Sequence, residues 1–229
     1  MIPESLKKAL RPITVVVGHY GAGKTNFAVN LALDLSAEGT HATVVDLDIV
    51  NPYFRASEQR AVLEQAGVAL VAPVFAEAGT SLDVPSLTGR IDSTLHDARA
   101  DGIVIIDAGG DDVGATALGR YARAICAHDY AMLYVANRFR NLVQDPADAL
   151  VNLREIENAS HLSVTALVNN SHLKDATSET TVQLGFAYAS KLADITGLPL
   201  ACTSMPAAAM PEGVPDAYIV QARVKNPWE

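Results

Sequence analysis

The sequence predicts an α/β fold: a twisted, mostly parallel sheet with helices on both faces, a Rossmann-like three-layer sandwich. Three observations carry that expectation. Short apolar runs rich in Val and Ile alternate with stretches whose apolar residues recur at helical spacing. Ala and Val are abundant and only 6% of residues are aromatic, which suits packed helices over buried parallel strands. Acids close two of the apolar runs, at the strand edge where an open parallel sheet gathers its ligand-binding loops.

Taken in order, residues 13–17 (ITVVV) form a buried strand bounded by Pro12 and Gly18. From Lys24 to Ser36 apolar residues fall at Phe27, Ala28, Leu31, Ala32 and Leu35, the spacing of a helix, with Gly39 as its stop. Residues 41–48 (HATVVDLD) read as a second strand, 55–66 as a helix and 68–73 as a third strand. Residues 73–101 are a less regular excursion with Gly79, Pro85 and Gly89, ending in a helix through 91–100. Residues 102–112 (GIVIIDAGGDD) open on the clearest buried strand. Later strands are expected at 130–137, 163–169 and 198–204, separated by helices near 112–127, 145–158 and 178–195. The tail 206–229 carries Pro211, Pro215 and Pro227 and is expected to wrap the domain irregularly. No repeat or low-complexity run interrupts this order, so residues 1–229 read as a single domain.

A formal net charge of −9 argues against broad binding to nucleic-acid phosphates, which needs clustered Lys and Arg. Cys126 and Cys202 stand apart and read as reduced packing thiols of a cytoplasmic protein, with a redox pair or a shared metal site as the less favoured reading. The first twelve residues lack the apolar run of a secretion signal, and no stretch approaches the roughly 18 apolar residues of a membrane span. No membrane anchor is expected, and Trp228 reads as a tail anchor or part of a disordered end.

The chemistry is concentrated in residues 18–25, GHYGAGKT. Gly18, Gly23, Lys24 and Thr25 match G-x-x-x-x-G-K-[ST], and Gly21 adds a further glycine. The glycines let the backbone curl so that several N–H groups face one anion, and the following helix adds its positive end. Lys24 can then reach the outer phosphates of a nucleotide, and the Thr25 hydroxyl can ligate Mg²⁺. The stretch sits between a buried strand and an amphipathic helix, which is the context the motif requires. The cofactor-binding residues expected here are Gly18, His19, Tyr20, Gly21, Ala22, Gly23, Lys24, Thr25 and Asn26. A dinucleotide site would want G-x-G-x-x-G, which this loop does not have.

Asp46 and Asp48 end the second strand and are expected on opposite sides of it unless the chain has already turned, and so in different roles. Asp107 ends the strand of 102–108; an acid there in phosphate-loop proteins holds Mg²⁺ directly or through water. Gly110 completes D-x-x-G and offers an N–H to the last phosphate. Asp111 and Asp112 read as caps of the next helix.

Together, GHYGAGKTNFAVNLALDL, VVDLDIVN, VIIDAGG and TALVNN resemble the MinD/ParA group of phosphate-loop ATPases, of the SIMIBI class, which also holds the nitrogenase iron protein and metal-centre maturation ATPases. The resemblance is strong over 13–55 and 101–113 and weaker to about residue 206. It implies a P-loop NTPase fold, ATP with Mg²⁺ (ADP as product) and slow hydrolysis coupled to a protein partner or client, with a nucleotide-dependent homodimer among the assemblies it suggests. Position by position it makes Lys24 and Thr25 the phosphate and Mg²⁺ residues and Asp48 the acid that orients the attacking water. Asp46 and Asp107 become acids of the Mg²⁺ shell, and Asn169 the adenine contact with Asn170 as fallback.

The departures from the group are as informative. Its signature loop begins with a lysine that reaches across a dimer to the other subunit's nucleotide. Here His19 stands in that place, and Tyr20 replaces a glycine. A histidine with an ordinary pKa near 6.5 is a poor substitute for a permanent cation. His19 is left open between a solvent-facing residue, a phosphate or partner contact and a metal ligand. NPYFR, 51–55, places Tyr53, Phe54 and Arg55 behind the acids, as a switch segment or as packing against the sheet.

Three functions compete at this level. The first is an ATPase switch acting on or with a protein partner, such as a maturation or assembly factor. The second is an ATP-dependent small-molecule kinase or a ligase such as dethiobiotin synthetase, with Arg55, Arg138 and Arg140 available to hold the acceptor. The third is a nucleotide sensor without turnover, which the intact acids disfavour. The guanine-reading N-K-x-D is absent, which favours ATP over GTP.

Overall fold

The computed structural model describes residues 1–48, 56–72, 84–98, 101–110, 112–209 and 213–223. Their strands are β1 (Ile13–Val17), β2 (His41–Leu47), β3 (Ala69–Val71), β4 (Gly102–Ala108), β5 (Tyr130–Ala136), β6 (Ala166–Asn169), β7 (Leu200–Met205) and β8 (Ala217–Ile219). They pair in the order β3-β2-β4-β1-β5-β6-β7-β8, and every pairing is parallel. The chain leaves β1 towards the β2 side and leaves β5 towards the β6 side. A crevice therefore opens between the ends of β1 and β5, the place where ligands settle in sheets of this kind.

Side chains alternate across the sheet and build one core on each face. Ile13, Val15 and Val17 of β1 face one way with Ile106 and Met132, under α4 (Val84–His96), α5 (Asp112–Gly119), α6 (Ala122–Ile125), α7 (Pro146–Ser160) and α8 (Glu179–Thr196). Val16 faces the other way with Val44, Ile105 and Leu133, under α1 (Glu4–Ala9), α2 (Lys24–Ala37) and α3 (Arg60–Gln65). All five residues of β1 are buried, as a continuous β-branched run in a central strand should be. Each fully buried Val or Ile contributes about 1.5–3 kcal/mol relative to exposure. Among the described residues, no helix is long and apolar enough to cross a membrane.

The layered α/β expectation holds, with local differences. The helix expected through 91–100 begins earlier, at Val84, and ends at His96; a proline in its first turn is compatible with a helix, since the amide hydrogen it lacks has no partner there. The helix expected over 112–127 divides into α5 and α6. It breaks at Gly119, where a Cβ would lie 2.8 Å from the Ala159 carbonyl oxygen of α7, so the two helices can cross this closely only at a glycine. The tail is less irregular than expected: β8 extends the sheet beside β7, and buried Tyr218 packs edge-on against Phe27 of α2 with ring centres 5.9 Å apart. Residues 73–83, Tyr53, Phe54, Arg55, Asp111, Pro211 and Trp228 lie outside the described residues. Cys126 is exposed and Cys202 buried; both are free thiols, and burial pushes the Cys202 thiol well above its ordinary pKa.

Candidate nucleotide site

The end of β1 runs into Gly18, which packs so closely on the Val135 carbonyl of β5 that a Cβ would overlap it. The loop then turns back with the Ala22 N–H bonded to the His19 carbonyl at 3.1 Å and hands over to α2 at Gly23, in the left-handed region at φ +93°. That handover leaves the helix open. The N-cap of α2 is a glycine, which has no side chain to cap the helix, whereas Asp145 caps α7 and Ser178 caps α8 through side-chain hydrogen bonds. The positive dipole end of α2 therefore faces the loop, where an anion is favoured.

Lys24 is 6% exposed, and its ammonium donates to the His19 carbonyl oxygen at 3.3 Å. Gly110 closes on the same point. A methyl group there would lie 2.5 Å from Lys24 Nζ, 2.8 Å from the Tyr20 nitrogen and 2.9 Å from the Gly18 oxygen. The D-x-x-G segment after β4 is thus seated directly on the loop and its lysine.

Asp46 and Asp107 stand side by side in register on β2 and β4, and both are fully buried. Asp46 accepts from the Asp48 N–H at 3.2 Å through one oxygen and from the Ser57 N–H at 3.1 Å through the other, so it braces the chain on both sides of residues 49–55. The expectation that Asp46 and Asp48 face opposite ways is corrected here. Residues two apart share a face of a strand. What separates them is the end of β2 at Leu47, after which Asp48 reaches the cavity wall while Asp46 stays beneath it.

Neither oxygen of Asp107 has a hydrogen-bond partner by geometry. Burial, then the neighbouring Asp46 charge, pushes its carboxyl up to about 8, against a smaller downward pull from the Thr25 hydroxyl and the Lys24 ammonium. A buried carboxyl without a partner is costly unless something compensates it. Among the described residues, no three His, Cys, Asp or Glu side chains converge to hold a metal ion by themselves. A hydroxyl with an orphaned carboxylate behind it instead fits Mg²⁺, which keeps several waters and takes phosphate oxygens rather than an all-protein cage. Thr25 and Asp107 are the residues that would hold it.

A stability prediction follows from Asp107. A carboxyl with a higher pKa folded than unfolded binds its proton more tightly in the folded state. Its contribution is full below the ordinary value of 3.8 and is lost as pH rises towards about 8. Asp107→Asn, in the ligand-free protein, should therefore raise Tm more at pH 8.5 than at pH 5, by about 3 °C or more, on a scale of roughly 2–4 °C per kcal/mol for a chain of this size. Equal shifts at both pH values in thermal melts would show that the carboxyl carries no such burden.

The cavity over the loop has a volume of about 250 Å³. Of the expected residues, Tyr20, Gly21, Ala22, Gly23, Lys24, Thr25, Asn26, Asp48 and Asn170 line it; Gly18, His19, Asp46, Asp107, Gly110 and Asn169 are not part of its lining. The His19 ring turns its Nδ1 to the Tyr20 carbonyl, 3.0 Å away. Asn169 is directed into the sheet: its amide donates to Thr203 Oγ1 at 3.4 Å, and its side-chain oxygen accepts from the Ser171 N–H. Asn170 reaches the loop. Its Nδ2 donates to the Ala22 carbonyl at 2.7 Å, and its Oδ1 accepts from Ser204 Oγ and from His172 Nε2.

Sequence reasoning missed Asn137, His172, Lys174 and Ala222, which line the same cavity. Burial first, then the Arg140 and Lys174 cations, push the His172 imidazole down to about 4. It is therefore neutral near pH 7, donating from Nε2 to Asn170 and accepting the Lys174 N–H at Nδ1. The signal that could have found Asn137, His172 and Lys174 is their place just after β5 and β6, at the ligand edge of the sheet. Nothing local marks Ala222. It reaches the wall because Asn30 and Gln221 exchange two hydrogen bonds at 2.9 Å and the Arg223 N–H donates to Asn26 Oδ1 at 2.9 Å, tying 221–223 along α2.

No protein-family model matches the chain, and no curated protein matches it. Solved structures do. The cell division protein FtsY of Thermotoga maritima is 21% identical with a TM-score of 0.53, covering 86% of this chain and 64% of that one. The signal recognition particle receptor FtsY of Elizabethkingia anophelis, solved with GDP, is 21% identical with a TM-score of 0.55, covering 85% and 57%. The signal recognition particle 54 kDa protein of Aeropyrum pernix, also solved with GDP, is 18% identical with a TM-score of 0.55, covering 87% and 45%. The chain thus spans about half to two thirds of the length of these proteins. At such identities the likeness is one of fold, and the fold is that of the α/β phosphate-loop nucleoside triphosphatases.

Proposed function

We propose that this chain is a Mg²⁺-dependent ATP-binding switch that hydrolyses ATP slowly and acts on or with a protein partner. The observation that carries the reading is the buried Asp107 carboxyl, which has no hydrogen-bond partner by geometry and stands beside Lys24 and Thr25 at the start of α2. Loop N–H groups and Lys24 would bind the phosphates, Thr25 and Asp107 would hold Mg²⁺, and Asp48 would orient water. The MinD/ParA resemblance supports the slow, partner-coupled character and a role in maturation or assembly; a second copy of the chain is one candidate partner.

ATP is favoured because the sequence from the last residue of β6 onward reads Asn169-Asn170-Ser171-His172, without the N-K-x-D that reads guanine. The GDP found in two structural neighbours favours the competing reading, a guanine nucleotide. Calorimetric titration with ATP and GTP, with and without Mg²⁺, separates them. The expected result is ATP at least about tenfold tighter, a difference of about 1.4 kcal/mol, with Mg²⁺ tightening it further. Tighter GTP would replace the base assignment and leave the phosphate site standing. Failure of both nucleotides to bind would overturn the reading as a whole. Turnover that rises with added partner or with protein concentration would support the switch; rapid, concentration-independent transfer to a metabolite would support a kinase or ligase instead.

A further inference from the structure

The loop leaving β5 places a second cation against the phosphate loop. Arg140 lines the same cavity as Lys24 and Thr25, and its Cδ, Nε and Cζ lie 3.5–3.7 Å from where a Cβ on Gly21 would stand. The loop beneath it is fixed. The Phe139 N–H donates to Asn137 Oδ1 at 3.0 Å, the Arg140 N–H to the Asn137 carbonyl at 3.1 Å, and the Arg138 N–H to Ser171 Oγ at 3.0 Å. Arg138 directs its own guanidinium away, to the Leu184 carbonyl of α8 at 3.4 Å. Arg140 is exposed and, among the described residues, makes no ion pair.

The sheet order gives this placement its meaning. Asp46, Asp48 and Asp107 approach the loop from the β2 and β4 side of β1, and Arg140 from the β5 side. An anion on the loop would lie between the acids' metal side and a guanidinium, whose planar fork of donors matches phosphate oxygens. His19 does not compete for that role, because it is off the cavity wall and bonded to the Tyr20 carbonyl.

We infer that Arg140 supplies the nucleotide's phosphates, from within the same chain, with the accessory positive charge that the sequence lacks at residue 19, so that phosphate binding needs no second subunit. The inference rests on the proposed nucleotide reading. Its partner, if a second copy, would act on turnover and not on phosphate capture.

Calorimetry with ADP, at protein concentrations where sedimentation shows a monomer, tests it on wild type, Arg140→Ala, Arg140→Lys and Lys24→Ala. Arg140→Ala should weaken ADP by about 10- to 100-fold, the range for losing a charged hydrogen-bond partner. The dependence of affinity on salt should become shallower, and Arg140→Lys should recover part of both. An Arg140→Ala affinity within twofold of wild type would overturn the inference. So would a loss with unchanged salt dependence, which would make Arg140 a packing residue, or wild-type binding confined to concentrations where a dimer forms. If Arg140→Ala lowers Tm markedly, the Arg140→Lys comparison decides. Loss of ADP binding in Lys24→Ala beside an unaffected Arg140→Ala would sink the inference and keep the nucleotide reading; retention in both would sink the reading itself.

Discussion

Lys24→Ala should weaken nucleotide binding by at least about 100-fold while leaving the fold intact. A hydrogen bond to a charged group is worth about 1.5–3 kcal/mol net, and the low dielectric of a buried site adds to the attraction between opposite charges. Lys24 is nearly enclosed, with its ammonium seated between the His19 carbonyl and Gly110, so few water molecules screen it. Its removal also takes the nearest cation from Asp107, whose carboxyl would then hold its proton more tightly still. The check is calorimetric titration with ATP, with circular dichroism to confirm that the α/β fold persists. A dissociation constant within a few-fold of wild type would show that the phosphates lie elsewhere.

Asp48→Ala should do the reverse: keep ATP binding within about threefold and cut hydrolysis by roughly 10²–10⁴-fold, the usual worth of a positioned acid or base. Asp48 reaches the cavity wall, whereas Asp46, two residues earlier, is used by the backbone N–H groups of Asp48 and Ser57. Only one of the two acids at the end of β2 is thus placed to meet a water in the cavity. Single-turnover hydrolysis beside equilibrium binding separates the two effects. Asp48→Asn, which keeps the shape and removes the charge, guards against a merely displaced loop. Unchanged hydrolysis in both variants would remove Asp48 from the chemistry; loss of binding in both would make it a ligand of the nucleotide or its metal.

The two predictions rest on features of unequal legibility. Lys24 and Thr25 could be read from eight consecutive residues, because a phosphate loop is a local object: its glycines, its lysine and the start of its helix are neighbours in the chain. The strands β1, β4 and β5 were equally plain, since a strand buried on both faces reads as a near-continuous apolar run. The distinction between Asp46 and Asp48 was not plain, because it depends on where β2 ends and on which carboxylate the Ser57 N–H, eleven residues beyond Asp46, takes.

The same contrast runs through the rest of the chain. Periodicity and turn chemistry, which act over a few residues, were enough for the parallel α/β layers, the loop 18–25 and the acids at the strand ends. They were not enough for β8, a three-residue strand that exists by pairing with β7 and burying Tyr218 against Phe27. They also could not choose Asn170 over Asn169 for the cavity wall, place Ala222 beside the loop, or set Arg140 over Gly21. Each of those outcomes is a contact between segments far apart in the chain. Their free energy is shared between both partners, so neither partner's local sequence carries the signal.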